Sequence, residues 1–166
     1  VGGISFPEVY SGTSPLKTSA SGLRSAAEKA GYTITDLSSV PACSNPDAHC
    51  NLQGRSSGFY ATSGDLVIDQ PLSIASGNYV IVADGNITFG KNVKIAVAQG
   101  ATLIMAAGRD MIVDQSIAPV ANACPVPAGQ LQGIFSAGGN FVVQGNSGDC
   151  SQPADTMLNI DGSLII

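Results

Sequence analysis

The chain has 166 residues, of which 44 % are hydrophobic and only 11 % charged, with 20 Gly, 9 Pro and no Trp. That length suits one domain with its own core, and the apolar content excludes a disordered chain. The net charge is -5 and the cations Lys17, Arg24, Lys29, Arg55, Lys91, Lys94 and Arg109 are scattered, which leaves nucleic-acid binding without an electrostatic footing.

No apolar run approaches the roughly 18 residues of a membrane span, so membrane insertion of this stretch is not expected. The opening "VGGISFPEVY" lacks the basic and apolar regions of a signal peptide and reads as part of a processed or excised chain. The last residues, "DGSLII", stop inside a recurring pattern, which predicts a longer natural protein. Residues 1–13 have little periodicity and read as an extended arm. In "SPLKTSASGLRSAAEKAG", Ser14 is a candidate N-cap, Pro15 a first helical residue and Gly31 a stop. A helix within 15–30 would place Leu16, Ala20, Leu23, Ala27 and Ala30 on one face.

Residues 32–37, "YTITDL", suit one strand. The loop that follows holds Cys43 and Cys50 among turn residues. Four cysteines in a small, weakly charged chain point to disulfides and an oxidising compartment, hence an extracellular or cell-surface location. A Cys43–Cys50 bridge closing a small loop suits the spacing better than zinc on Cys43, His49 and Cys50, because zinc ligands usually come as spaced pairs from two segments.

From residue 58 onward one phrase recurs: "SGDLVID", "DGNITFG", "AGRDMIVD", "GGNFVVQG" and "DGSLII". Alignment on the turn places Asp65, Asn86, Asp110, Asn140 and Ser163 in one column, with Arg109 as a one-residue insertion. One position on stand Leu66, Ile87, Met111, Phe141 and Leu164; three positions on stand Ile68, Phe89, Val113, Val143 and Ile166. An apolar pair precedes each turn, and "PLSIASG" and "KNVKIAVAQG" add a third extended segment. Short strands of this kind bury an apolar face only by stacking. The expectation is an all-β parallel β-solenoid of about five coils over 58–166, preceded by an arm, a short covering helix and a disulfide loop over 1–57.

"GNITFG", "AAGRDMIVDQSI" and "SAGGNFVVQG" resemble the β-helix repeats of filamentous-haemagglutinin-type surface proteins and the solenoid ectodomains of bacterial surface and pilin-like proteins. The resemblance spans about 58–166 and implies a surface-exposed binding or structural role. It carries over no individual functional residue.

The turn column could be a calcium line helped by Asp69, Asp84, Asp114 and Asp161, but these acids fall in different columns and form no dense ligand set. Turn chemistry, in which Asx side chains bond nearby backbone donors, explains the column better. Catalysis has little material. The only glutamates, Glu8 and Glu28, lie outside the recurring phrases, and His49 is the only histidine. No catalytic residue, metal or cofactor is expected.

On adjacent solenoid coils Cys124 and Cys150 would meet and tie two long loops together. The outward column Val67, Thr88, Ile112, Val142, Ile165 is apolar at four of five positions, so it should be a seam covered by the helix through Leu23 and Ala27, or a docking face. The sequence thus predicts a non-catalytic extracellular module for adhesion or surface-fibre and pilus architecture. Its expected partners are a surface protein, other copies of itself or a glycan. The alternative is a carbohydrate-binding or polysaccharide-cleaving β-helix.

Overall fold

The computed structural model describes residues 18–43, 49–91, 93–114, 117, 130–144, 158 and 160–166. Ser19 caps helix α1 (Ala20–Lys29), its side chain accepting the Gly22 N–H at 3.1 Å. Gly31, at φ +74°, ends it in the left-handed conformation that glycine adopts without strain. The cap is therefore Ser19, while the expected Ser14 and Pro15 lie outside the described residues. Strand β1 (Ile34–Asp36) follows. Asp36 then accepts the Ser38 N–H at 2.9 Å, and the Ser38 backbone and side-chain hydrogen bonds hold its carboxyl below the usual 3.8.

The remaining strands run in chain order: β2 (Gly58–Thr62), β3 (Leu66–Ile68), β4 (Leu72–Ile74), β5 (Asn78–Ala83), β6 (Ile87–Phe89), β7 (Ile95–Val97), β8 (Thr102–Ala107), β9 (Met111–Val113), β10 (Leu131–Ala137), β11 (Phe141–Val143) and β12 (Ile160–Ile165). Every pairing between them is parallel. An eight-stranded sheet runs β1-β2-β5-β8-β10-β7-β4 with β12 beside β10, and a four-stranded sheet runs β11-β9-β6-β3. Alternation along each short strand sends one set of side chains inward. Leu66, Ile68, Ile81, Ile87, Phe89, Met105, Met111 and Phe135 form the core between the sheets, with the Phe89 and Phe135 rings edge to face at 5.8 Å.

This topology corrects the expected fold class. A solenoid array of about five like coils would repeat the same separate strands at every level. Here β10 pairs with β8 from Ile134 to Ala137 and with β7 at Leu131, which joins β4 and β7 to the strands of β8 in one sheet. That sheet curls into a parallel half-barrel against one helix, giving a compact globular domain in place of a repeating β-solenoid. The resemblance to haemagglutinin-type and pilin-like solenoid proteins is corrected with it. So are the filamentous adhesion or surface-fibre role and the β-helix alternative for carbohydrate, both of which rested on that array.

Three details of register also differ. Ser163 does not join the turn column, because β12 lies along β10 with Ser163 opposite Ile134 and Leu164 opposite Phe135. The matched glycines are Gly133 and Gly162, so close that a Cβ on Gly162 would strike the Gly133 carbonyl. Arg109 is no insertion. Ala83 pairs with Ala107 and Ile87 with Met111, which puts Arg109 in the place held by Gly64, Gly85 and Gly139 in the other turns.

The helix also lies elsewhere. Ala20 and Ala27 pack on Phe59, Ala61, Val82 and Ala106, with Leu23 and Val80 beside them, on the outer face of the larger sheet. Small alanines let the helix backbone approach this face closely. Arg24 anchors it, donating to the Thr62 carbonyl at 3.1 Å and to Asp84 at 2.9 Å. The anticipated seam of Val67, Thr88, Ile112 and Val142 sits on the smaller sheet, without the helix over it.

Ala27→Asp should therefore lower unfolding free energy by about 3 kcal/mol, because it places a charge in the seam. Ile112→Thr, which makes the position match Thr88, should cost less than about 1 kcal/mol. Urea denaturation of both variants checks this. A larger loss for Ile112→Thr would put the helix over the wrong sheet.

Candidate functional site

The turns that join the larger sheet to the smaller one stand one above another, and their Asx side chains form a hydrogen-bonded ladder. Asp65 accepts the Asn86 N–H at 2.7 Å, Asn86 accepts the Asp110 N–H at 3.1 Å, and Asp110 accepts the Asn140 N–H at 2.7 Å. The partner of each side chain is thus the next turn, whereas an Asx turn would bond its own. Glycine before the Asx makes room: a Cβ on Gly85 or Gly139 would collide with Oδ1 of Asp65 or Asp110. Alternation of acid and amide keeps like charges apart. Asn140 uses its amide directly, donating from Nδ2 to Asp110 Oδ1 at 3.2 Å.

The ladder ends at Asn140, and so does the smaller sheet. Along its inner columns Met111 and Val113 are 0 % exposed, whereas Val143, next above Val113, is 45 % exposed. In the larger sheet Phe135 is 0 % exposed and its neighbour Leu164 is 41 % exposed. Among the described residues no strand pairs with the outer edge of β11 or β12. Among the described residues this end of the core is left open.

The opposite end is closed. Leu37, Val40, Leu52 and the Cys43–Cys50 disulfide are buried in the core cluster. His49 bridges to Val67, the Cys50 N–H donates to the Val67 carbonyl at 2.7 Å, and His49 Nδ1 meets Asp69 Oδ2 at 2.7 Å. Gln53 accepts the Ser73 N–H at 2.7 Å and so covers an edge of β4. β1 covers the edge of β2.

Of the other residues singled out from the sequence, Cys124 and Cys150 lie outside the described residues. Asp84 is held by Arg24, and Asp161 accepts from Gln132 at 3.3 Å. No group of three or more His, Cys, Asp or Glu that could hold a metal ion occurs among the described residues. A separate apolar groove of about 410 Å³ runs between α1 and the larger sheet, lined by Leu23, Ala27, Tyr32, Phe59, Asn78 and Val80. It brings together no acid, base or nucleophile that could act on a ligand. The turn phrase that Ser163 and Leu164 share with the other repeats hides their place along β10. The shared glycine of "LQGIFSA" and "IDGSLII" was the signal that could have corrected it.

No protein-family model, curated protein or solved structure matches this chain.

Asp110 holds two bonds of the ladder, so Asp110→Ala should destabilise the domain by about 1 kcal/mol, the net worth of a partly exposed hydrogen bond. Asp110→Asn keeps an acceptor and should cost less. Guanidinium denaturation of both variants measures the difference, and an Asp110→Ala protein as stable as the parent would remove the ladder as a source of register.

Proposed function

We propose that this domain is a non-catalytic polypeptide-binding module of an exported protein, and that its β11 and β12 edges accept a further extended strand of polypeptide. The observation that carries the reading is where large apolar side chains meet solvent. Apart from Tyr32, those exposed among the described residues are Val142, Val143, Leu164 and Ile166, all in or beside β11 and β12. Unpaired strand edges are templates for another chain's backbone, and proteins that do not use them usually shield them with charge, proline or a covering loop. At the far end the edges of β3 and β4 are covered by the His49–Cys50 segment and Gln53, while β11 and β12 carry Val and Leu to the edge.

Addition of a strand gives affinity through main-chain hydrogen bonds and selectivity through alternate side chains. A protein partner fits that chemistry. The Cys43–Cys50 bond supports action in an oxidising compartment, since such bonds rarely persist in the cytosol.

An array of octapeptides with alternating apolar and polar residues should yield binders of the purified domain. Val143→Pro removes one outward N–H while leaving the ladder to β9 intact, so it should abolish that binding and shift the melting temperature by only a few degrees. Equal binding by the parent and Val143→Pro would sink the reading.

A further inference from the structure

The segment after the disulfide loop meets the turn after β4 in a cleft of about 240 Å³, formed by residues 52–55 and 72–76 with Tyr79 beside them. Both walls are internal to the chain, and each is held in place. Tyr79 donates its hydroxyl proton to the Arg55 carbonyl at 2.8 Å, and Tyr60 donates to the Ser56 carbonyl. Gln53 Oε1 accepts the Ser73 N–H at 2.7 Å. Gly77, at φ +86°, lies against Ser57 so closely that a Cβ on it would come within 2.7 Å of the Ser57 Cβ. The apolar part of the lining, Leu52, Leu72 and Ile74, is buried.

The polar side-chain groups left over in this cleft are donors. With the Tyr79 hydroxyl proton engaged by Arg55 and Gln53 Oε1 engaged by Ser73, there remain Gln53 Nε2, the Ser73 and Ser76 hydroxyls and the Arg55 guanidinium. Arg55 is half-buried, and among the described residues its guanidinium makes no hydrogen bond and no ion pair. Arg24, by contrast, is held by Asp84 and the Thr62 carbonyl. No Asp or Glu lines the cleft, in a chain with 12 acids against 7 Lys and Arg. A partly desolvated cation is unfavourable unless an acceptor meets it. A ligand that brings the acceptor removes that penalty.

We infer that this cleft is a carboxylate-binding site, in which Arg55 supplies a planar two-donor fork and Gln53, Ser73 and Ser76 supply single hydrogen bonds. It stands apart from strand acceptance at β11 and β12. One cation among neutral donors matches a singly charged, planar anion, whose two oxygens fit the guanidinium edge. A phosphate dianion is usually met by further cations or by a nest of backbone N–H groups. The carboxylate comes from a small free acid or from an acidic side chain of a polypeptide, and both present the same group to Arg55.

The test is an NMR titration of the isotope-labelled protein with sodium acetate, run against sodium chloride at equal ionic strength. The Arg55 Nε–H signal and the Ser73 and Ser76 amides should move saturably with acetate and stay in place with chloride. Arg55→Gln, followed at the Ser73 and Ser76 amides, should bind acetate about tenfold more weakly, the worth of a charge-assisted hydrogen bond. Arg55→Lys keeps the charge without the fork and should recover only part of the loss. Because the Arg55 carbonyl, not its side chain, anchors the loop, both variants should melt close to the parent. The chloride comparison uses the unaltered protein, so it stands even if a variant folds poorly. The capped peptide acetyl-Gly-Glu-Gly-amide and its Gln counterpart separate the sources. Tighter binding of the Glu peptide than of acetate supports the site with a polypeptide carboxylate, and weaker binding supports it with a free acid. Equal shifts with acetate and chloride, unchanged acetate binding by Arg55→Gln, or tighter binding of inorganic phosphate than of acetate would each overturn the inference.

Discussion

Everything in this domain depends on stacked turns that keep parallel strands in register. A parallel ladder has no hairpin to set its alignment, and a slip by one residue would exchange the core face for the solvent face. The Asp65, Asn86 and Asp110 side chains each capture the backbone N–H of the turn above, at Asn86, Asp110 and Asn140. Strands of only three residues, such as β3, β6, β9 and β11, gain little specificity from their own hydrogen bonds. The turn bonds supply it, at a point where a shift by one residue would leave both donor and acceptor unpaired.

Once the turns are aligned, the core follows. The residue after each Asx and the residue two further on point inward, so Leu66, Ile87 and Met111, with Ile68, Phe89 and Val113, become buried columns. The preceding strands contribute Tyr60, Ile81, Met105 and Phe135 from the other side. Their outer face carries Ala61, Val82 and Ala106, shallow enough to seat α1 through Ala20 and Ala27. The two ends of the sheets then differ in character. At one, the disulfide loop and β1 satisfy the edges; at the other, the apolar columns reach solvent at Val143 and Leu164. That asymmetry sets the β11 and β12 end apart from the covered end among the described residues.

Much of this was legible in the amino-acid order, because inward columns and turn residues are local patterns. The parallel pairing of the phrases around Asp65, Asn86, Asp110 and Asn140 could be read from their shared glycines and apolar spacing. So could the Cys43–Cys50 loop. What could not be read was how the strands join laterally. β10 continues unbroken from Leu131 to Ala137, where the level below is interrupted between Val97 and Thr102; that difference merges two columns into one curled sheet, and no spacing rule announces it. The helix position was also hidden, since both sheets offer an apolar outer column and only the small side chains of Ala61 and Ala106 favour one. Ser163 was misplaced because "DGS" mimics the turn phrase, whereas its glycine belongs with Gly133.

Residue-resolved amide hydrogen exchange by NMR tests the central claim most directly. The account predicts slow exchange at Asn86, Asp110 and Asn140, whose N–H groups are held by the turn below, together with fast exchange at Phe141 and Val143, whose N–H groups point away from β9. Fast exchange at Asn86 and Asp110, or slow exchange at Phe141 and Val143 in the isolated monomer, would contradict it.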